Sequence, residues 1–146
     1  MHEAINLAKY TFFEDLKKDH LELLSRHVIK DYFNDNEYIF REQQKASKLF
    51  LILSGKVAIE STSTQGKQVS IQTLKEDDIL GWSWMVPPYE WRFSARTLEH
   101  TELLIMDGEF IRDKSAKDHD LGYEIYKRLA GVFAQRLEAT RHLLRS

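Results

Sequence analysis

All three tryptophans and both prolines fall in one stretch, Gly81-Trp82-Ser83-Trp84-Met85-Val86-Pro87-Pro88-Tyr89-Glu90-Trp91, with Arg92, Ser94 and Arg96 close behind. These residue types make no bonds by themselves; they stack on flat rings and hold anions. Large rings beside a forced turn lose little entropy on meeting a ligand, and the same rings equally well fill a core corner. Arg92, Ser94 and Arg96 alternate, so on an extended strand they share one face and offer two guanidiniums and a hydroxyl to an anion. Alternatively, those arginines face solvent and pair with Glu90 or Glu99. Gly81, Trp82, Ser83, Trp84, Trp91, Arg92, Ser94 and Arg96 form the candidate ligand-contacting set.

Other chemistries lack their residues. The six histidines stand singly at 2, 20, 27, 100, 119 and 142, with no His-x-His or His-x-x-x-His pair, so they read as surface or helix-end residues rather than metal ligands. There is no Gly-x-Ser-x-Gly elbow, no phosphate loop and no dinucleotide fingerprint, and the chain is not expected to be an enzyme. Absence of cysteine excludes disulfides, thiolate metal sites and cysteine nucleophiles. With 21 basic and 23 acidic residues and a formal charge of -2, no general positive field exists to hold a phosphate backbone. Neither a basic-then-apolar start nor a run of about 20 apolar residues is present, which predicts a cytoplasmic protein without a membrane span.

A chain of 146 residues, 42% hydrophobic, suits one domain plus an appendage. Thr11-Phe12-Phe13-Glu14 has capping-box spacing, and Phe13, Leu16, Leu21, Leu24 and Val28 predict a helix through Ile29. Short apolar runs follow at 38–40, 48–53, 56–60, 69–74, 93–98 and 101–106. Strands recurring every ten or so residues mean a sandwich or barrel. Ser54-Gly55 and Gln65-Gly66 are expected hairpin turns. Asp77-Asp78 and Asp118-His119-Asp120 read as backbone-capping acids. Helical periodicity returns at 109–114 and then from 118 to 144. There Ile125, Leu129, Val132, Arg136, Ala139 and Leu143 mark one stripe, and Tyr126, Phe133, Leu137, Thr140 and Leu144 an adjacent one. Two stripes predict two covered surfaces, the barrel and an identical helix across a two-fold axis, with Leu129 at the dimer contact. Arg128, Arg136, Arg141 and Arg145 are expected to be solvated flanks.

The order of elements and the run Leu49-Phe50-Leu51-Ile52-Leu53-Ser54-Gly55-Lys56-Val57-Ala58-Ile59, followed by Asp77-Asp78-Ile79-Leu80-Gly81 and the closing Glu99-His100-Thr101-Glu102-Leu103-Leu104, resemble the cyclic nucleotide-binding domain of catabolite activator type regulators. The resemblance covers about residues 10 to 144. It implies a mainly β fold with flanking helices: a double-stranded β-helix (jelly-roll) barrel with its N-terminal helix over 1–117, and a dimerisation helix over 118–146. It also implies cyclic AMP or cyclic GMP as ligand, held by a cassette in which a glutamate takes the ribose hydroxyl and an arginine the phosphate. Here Trp82 stands at the glutamate position, and Trp91 or Arg92 at the arginine position. Indole has one donor and no acceptor, so Trp82 cannot replace the ribose contact.

Two functions are therefore expected. One is a dimeric sensor with a rewritten cassette, signalling through its last helix to a protein partner. The other is a ligand-free barrel, plugged by its tryptophans, that serves as an interaction scaffold. The family's regulators continue into a helix-turn-helix after the dimer helix, whereas this sequence stops at Ser146, so direct DNA binding is not expected.

Overall fold

The computed structural model describes residues 5–145; Met1 to Ala4 and Ser146, at the outer ends of the two expected segments, lie outside the described residues. Its strands are β1 (Val28–Phe33), β2 (Tyr38–Phe40), β3 (Lys48–Ser54), β4 (Val57–Thr62), β5 (Gln68–Leu74), β6 (Ile79–Leu80), β7 (Ser94–Thr97) and β8 (Thr101–Asp107). They build two four-stranded antiparallel sheets, ordered β1-β8-β3-β6 and β2-β7-β4-β5, the jelly-roll arrangement expected. β3 lies between β8 and β6, and Leu49, Phe50, Leu51 and Ile52 are all buried. Burial on both faces is why this strand reads as an unbroken apolar run.

Six strands fall on the apolar runs and two do not. Val28 and Ile29, expected to finish a helix, pair instead with Met106 and Ile105 in β1. β6 has only two residues and no alternation to reveal it. Of the expected hairpins, Gln65-Gly66 joins paired strands β4 and β5, with Gly66 at φ +79°. Ser54-Gly55 is not a hairpin, because β3 and β4 belong to different sheets. Gly55 makes that crossing at φ +106°, where an added Cβ would fall 2.4 Å from the Thr101 hydroxyl.

The opening helix is also shorter than expected. Leu7–Lys9 and Thr11–Phe13 form single 3-10 turns, and α1 spans only Lys18–Ser25. Thr11 does not cap a helix; its N–H and hydroxyl both donate to Asp77, which anchors the N-terminal segment to the β5–β6 turn. Helix α2 (Gly108–Lys117) is capped by Asp107, whose Oδ1 accepts from Phe110 N–H at 3.1 Å. Helix α3 (His119–Arg145) starts where Asp118 Oδ1 accepts from Leu121 N–H at 3.2 Å, the capping role expected of that acid.

α3 buries Leu121, Gly122, Ile125, Leu129 and Arg136, and no described residue after Arg136 is buried. Leu129 is fully enclosed by its own domain, so it is not the dimer contact expected. The neighbouring stripe is open: Tyr126 is 41%, Leu137 70% and Leu144 85% exposed. At 1.5 Å per residue, α3 is roughly 40 Å long and outreaches the barrel it packs on. Among the described residues no helix is long and apolar enough to cross a membrane.

Candidate functional site

The site begins where β6, paired through Leu80 to Phe50, delivers the chain to Gly81 at φ +91°. A Cβ at Gly81 would lie 2.8 Å from the ring of Trp91. The missing side chain therefore lets an indole rest on the backbone. Trp91 is 6% exposed and stacks on Phe40 at 3.7 Å and 12°. Between Phe40, Leu80, Trp82, Phe93 and Arg136 it leaves a cavity of about 20 Å³, room for little more than one water.

The other tryptophans close the same corner. Trp84 has no solvent exposure, and its buried Nε1–H is satisfied by the Gly81 carbonyl at 2.7 Å. Its ring covers Gly108 at the start of α2, where a Cβ would approach to 2.6 Å. Ser83 is buried in the 3-10 turn Ser83–Met85. Trp82 is half-buried and meets two rings edge-on, Phe93 at 6.4 Å and Phe133 of α3 at 4.9 Å. The cassette thus touches both C-terminal helices.

Ser94, Arg96 and Arg92 do not form one anion-facing set. In β7, Ala95 pairs with Ile59 and both join the core, so Ser94 and Arg96 lie on the opposite face of the sheet. Arg96 gives Nη2 (2.8 Å) and Nε (3.1 Å) to Glu60 and Nη1 to Asn36 (2.9 Å). Its partner is thus Glu60 rather than Glu90 or Glu99, and that hydrogen bond raises the guanidinium pKa above its ordinary value. Ser94 Oγ accepts from Glu42 N–H at 3.0 Å. Arg92 precedes the strand, is exposed and donates to the Pro87 carbonyl at 3.1 Å, with its guanidinium 6.0 Å from the Trp82 ring.

Two arginines matter here that the sequence did not single out for the site. Arg112 of α2 donates to the Trp84 carbonyl at 2.8 Å and lies 4.0 Å from the Tyr89 ring, which fastens the cassette to that helix. Nothing in its sequence neighbourhood marks it. Arg136, expected as a solvated flank, is only 9% exposed and donates to the Ile79 carbonyl (2.5 Å) and Gln72 (3.2 Å). Burial lowers its pKa, opposed by the charge of Asp78. Its place in the apolar stripe of α3 was the signal. Arg128 is also mostly covered, donating to the Glu14 carbonyl at 2.8 Å, whereas Arg141 and Arg145 are exposed as expected. His20 likewise departs from the surface role expected; it is buried, with Nε2 3.0 Å from Asp118. Among the described residues no group of histidines and carboxylates is arranged to hold a metal ion.

Against known proteins, the family model described as cyclic nucleotide-binding domain matches residues 30–118. The anaerobic regulatory protein of Bacillus subtilis is 26% identical over 113 residues, 77% of this chain and 48% of that protein. A CRP-like cAMP-activated global transcriptional regulator of Mycobacterium tuberculosis is 25% identical over 138 residues, 94% of this chain and 60% of that protein. The chain therefore spans about half to three fifths of the length of these regulators. A solved candidate cyclic nucleotide-binding protein from Geobacter metallireducens superposes with a TM-score of 0.83 at 26% identity, over 94% of this chain and 99% of that one. The Thermus thermophilus catabolite activator protein, at 22% identity, TM-score 0.70, 92% of this chain and 61% of that one, shares the fold.

Proposed function

Because the chain belongs to the cyclic nucleotide-binding domain family, we propose that it is a regulatory module whose barrel mouth is filled by its own aromatic residues, with output carried by α3. One observation carries this reading: Trp91, stacked on Phe40 at 3.7 Å, leaves about 20 Å³ inside the barrel. A nucleotide-sized ligand needs roughly 300 Å³ or more. The module acts without catalysis, in the cytoplasm, on a second copy of itself and a protein partner.

The open stripe of α3 supports the dimer. Tyr126, Phe133, Leu137, Thr140 and Leu144 step by seven, four, three and four, the a and d spacing of a two-helix seam. The barrel leaves those residues exposed or half-exposed.

A second reading, a cyclic AMP or cyclic GMP sensor with a rewritten cassette, rests on Arg136 and Trp82. Both border the residual space, so an outward swing of Trp91 would uncover a guanidinium and a stacking face. Through Trp82 on Phe133 and Arg136 on Ile79, a ligand there would act on α3, and only by its difference in affinity between two helix positions. Calorimetric titration with cyclic AMP and cyclic GMP, with tryptophan emission followed in parallel, separates the readings. No heat and no emission change are expected of the self-filled barrel. Saturable binding with an emission change would establish the sensor instead.

A further inference from the structure

A larger cavity, about 260 Å³, lies outside the barrel mouth where the Thr11–Phe13 turn, the β5–β6 turn and the middle of α3 meet. Its lining carries both signs of charge, and Arg136 reaches the β5–β6 turn itself through the Ile79 carbonyl, next to Asp78. α3 contributes Arg128 and Arg136, and the β5–β6 turn contributes Asp77 and Asp78. Both guanidiniums keep donors in reserve, since each has five N–H groups. Arg136 gives one to the Ile79 carbonyl and one to Gln72. Arg128 gives Nη2 to the Glu14 carbonyl, with Glu124 at 3.5 Å, and its Nε is buried without a partner. On the turn, Asp77 is occupied by Thr11, whereas Asp78 Oδ2 accepts from Lys75 N–H at 2.9 Å. A simple anion would be repelled by Asp78, and a simple cation by Arg128 and Arg136. Phe12 and Val132 supply an apolar strip between them.

We propose that this cavity binds a free α-amino acid with a small apolar side chain. Its carboxylate meets Arg128 and Arg136, its ammonium meets Asp78, and its side chain lies on Phe12 and Val132. At about 260 Å³ the cavity lies just below the size of drug-sized ligand sites, which suits a small molecule such as valine. The ligand would bridge the barrel turn and α3 from outside the mouth, an input that goes beyond the function proposed for the mouth and shares only Arg136 with it.

The test titrates the full chain with L-valine and follows backbone amide shifts by heteronuclear NMR. Saturable shifts centred on Thr11, Asp78, Gly131 and Gln135 are expected. Isovalerate, which lacks the ammonium, and isobutylamine, which lacks the carboxylate, are each expected to bind about tenfold or more weakly. Gly131→Leu enters space where a Cβ meets nothing within 4 Å and raises helix propensity, so this variant folds and is expected to lose the response. No saturable shift with L-valine, equal binding of isovalerate, or an undiminished response in Gly131→Leu would each overturn the proposal. None of these outcomes bears on nucleotide binding at the mouth, where the shifts would fall on residues 81 to 93.

Discussion

The barrel mouth and the outer half of α3 use similar residues to opposite ends. At the mouth, Phe40, Trp84 and Trp91 are each no more than 7% exposed, and the buried Trp84 donor has its acceptor within the same loop. Along α3, Leu137 and Leu144 stand 70% and 85% exposed with no barrel beneath them. One region closes its apolar surface within a single copy of the chain; the other leaves large apolar side chains open to solvent. Large apolar side chains left in water across successive turns mark an interaction surface, whereas the same side chains stacked on each other mark a core. This contrast moves the functional weight from pocket to helix.

The strongest way to break the contrast is Trp84→Ala. If the mouth is core, removing a fully buried indole should lower unfolding free energy by about 3–5 kcal/mol in chemical denaturation. A loss below about 1 kcal/mol would mean that the cassette is a detachable flap. Leu137→Glu probes the other region. A charge placed in the seam should weaken self-association by about 2 kcal/mol or more, read by sedimentation, while monomer stability changes by no more than about 0.5 kcal/mol. A variant that sediments unchanged would move the interface off α3. Gly81→Ala should cost about 1–3 kcal/mol, because alanine disfavours φ +91° and its Cβ meets the Trp91 ring. If the variant loses stability and gains saturable cyclic nucleotide binding, the indole and the nucleotide compete for one space.

How much of this was legible in the sequence follows from the range of the forces involved. β3 was legible because a central strand buried on both faces must be apolar throughout, and α3 because its 3.6-residue period runs for 27 residues. β1 was missed because Val28 and Ile29 continue a helical spacing, and only pairing with Met106 and Ile105, far along the chain, decides otherwise. The cassette was found by composition, yet its direction was not. Whether Trp91 lines a pocket or fills it depends on Phe40 and Gly81, which the sequence does not place opposite each other. Likewise the alternation of Ser94 and Arg96 was real, but which face met the core was fixed by Ala95 pairing with Ile59. Arg136 was readable in principle as a charged residue inside an apolar stripe.

The smallest effect expected concerns how α3 is attached at its start. Asp118 has its pKa lowered mainly by the Leu121 N–H it accepts; desolvation opposes this, and His20 adds a lesser lowering. A carboxylate with a depressed folded-state pKa stabilises fully above its unfolded value, about 3.8–3.9, and that stabilisation is lost as pH falls through the folded value. Asp118→Asn keeps an acceptor for the cap but cannot titrate. The wild type should therefore lose stability more steeply than Asp118→Asn below about pH 4, with both behaving alike in dependence on pH above about 5. Parallel acid limbs would show that the charge at the α2–α3 junction does not hold α3 in place. The attachment would then rest on the packing of Leu121, Ile125 and Leu129 and on the hydrogen bonds of Arg128 to Glu14 and of Arg136 to Ile79, and the difference between a buried first half and an open second half would not depend on the Asp118 charge.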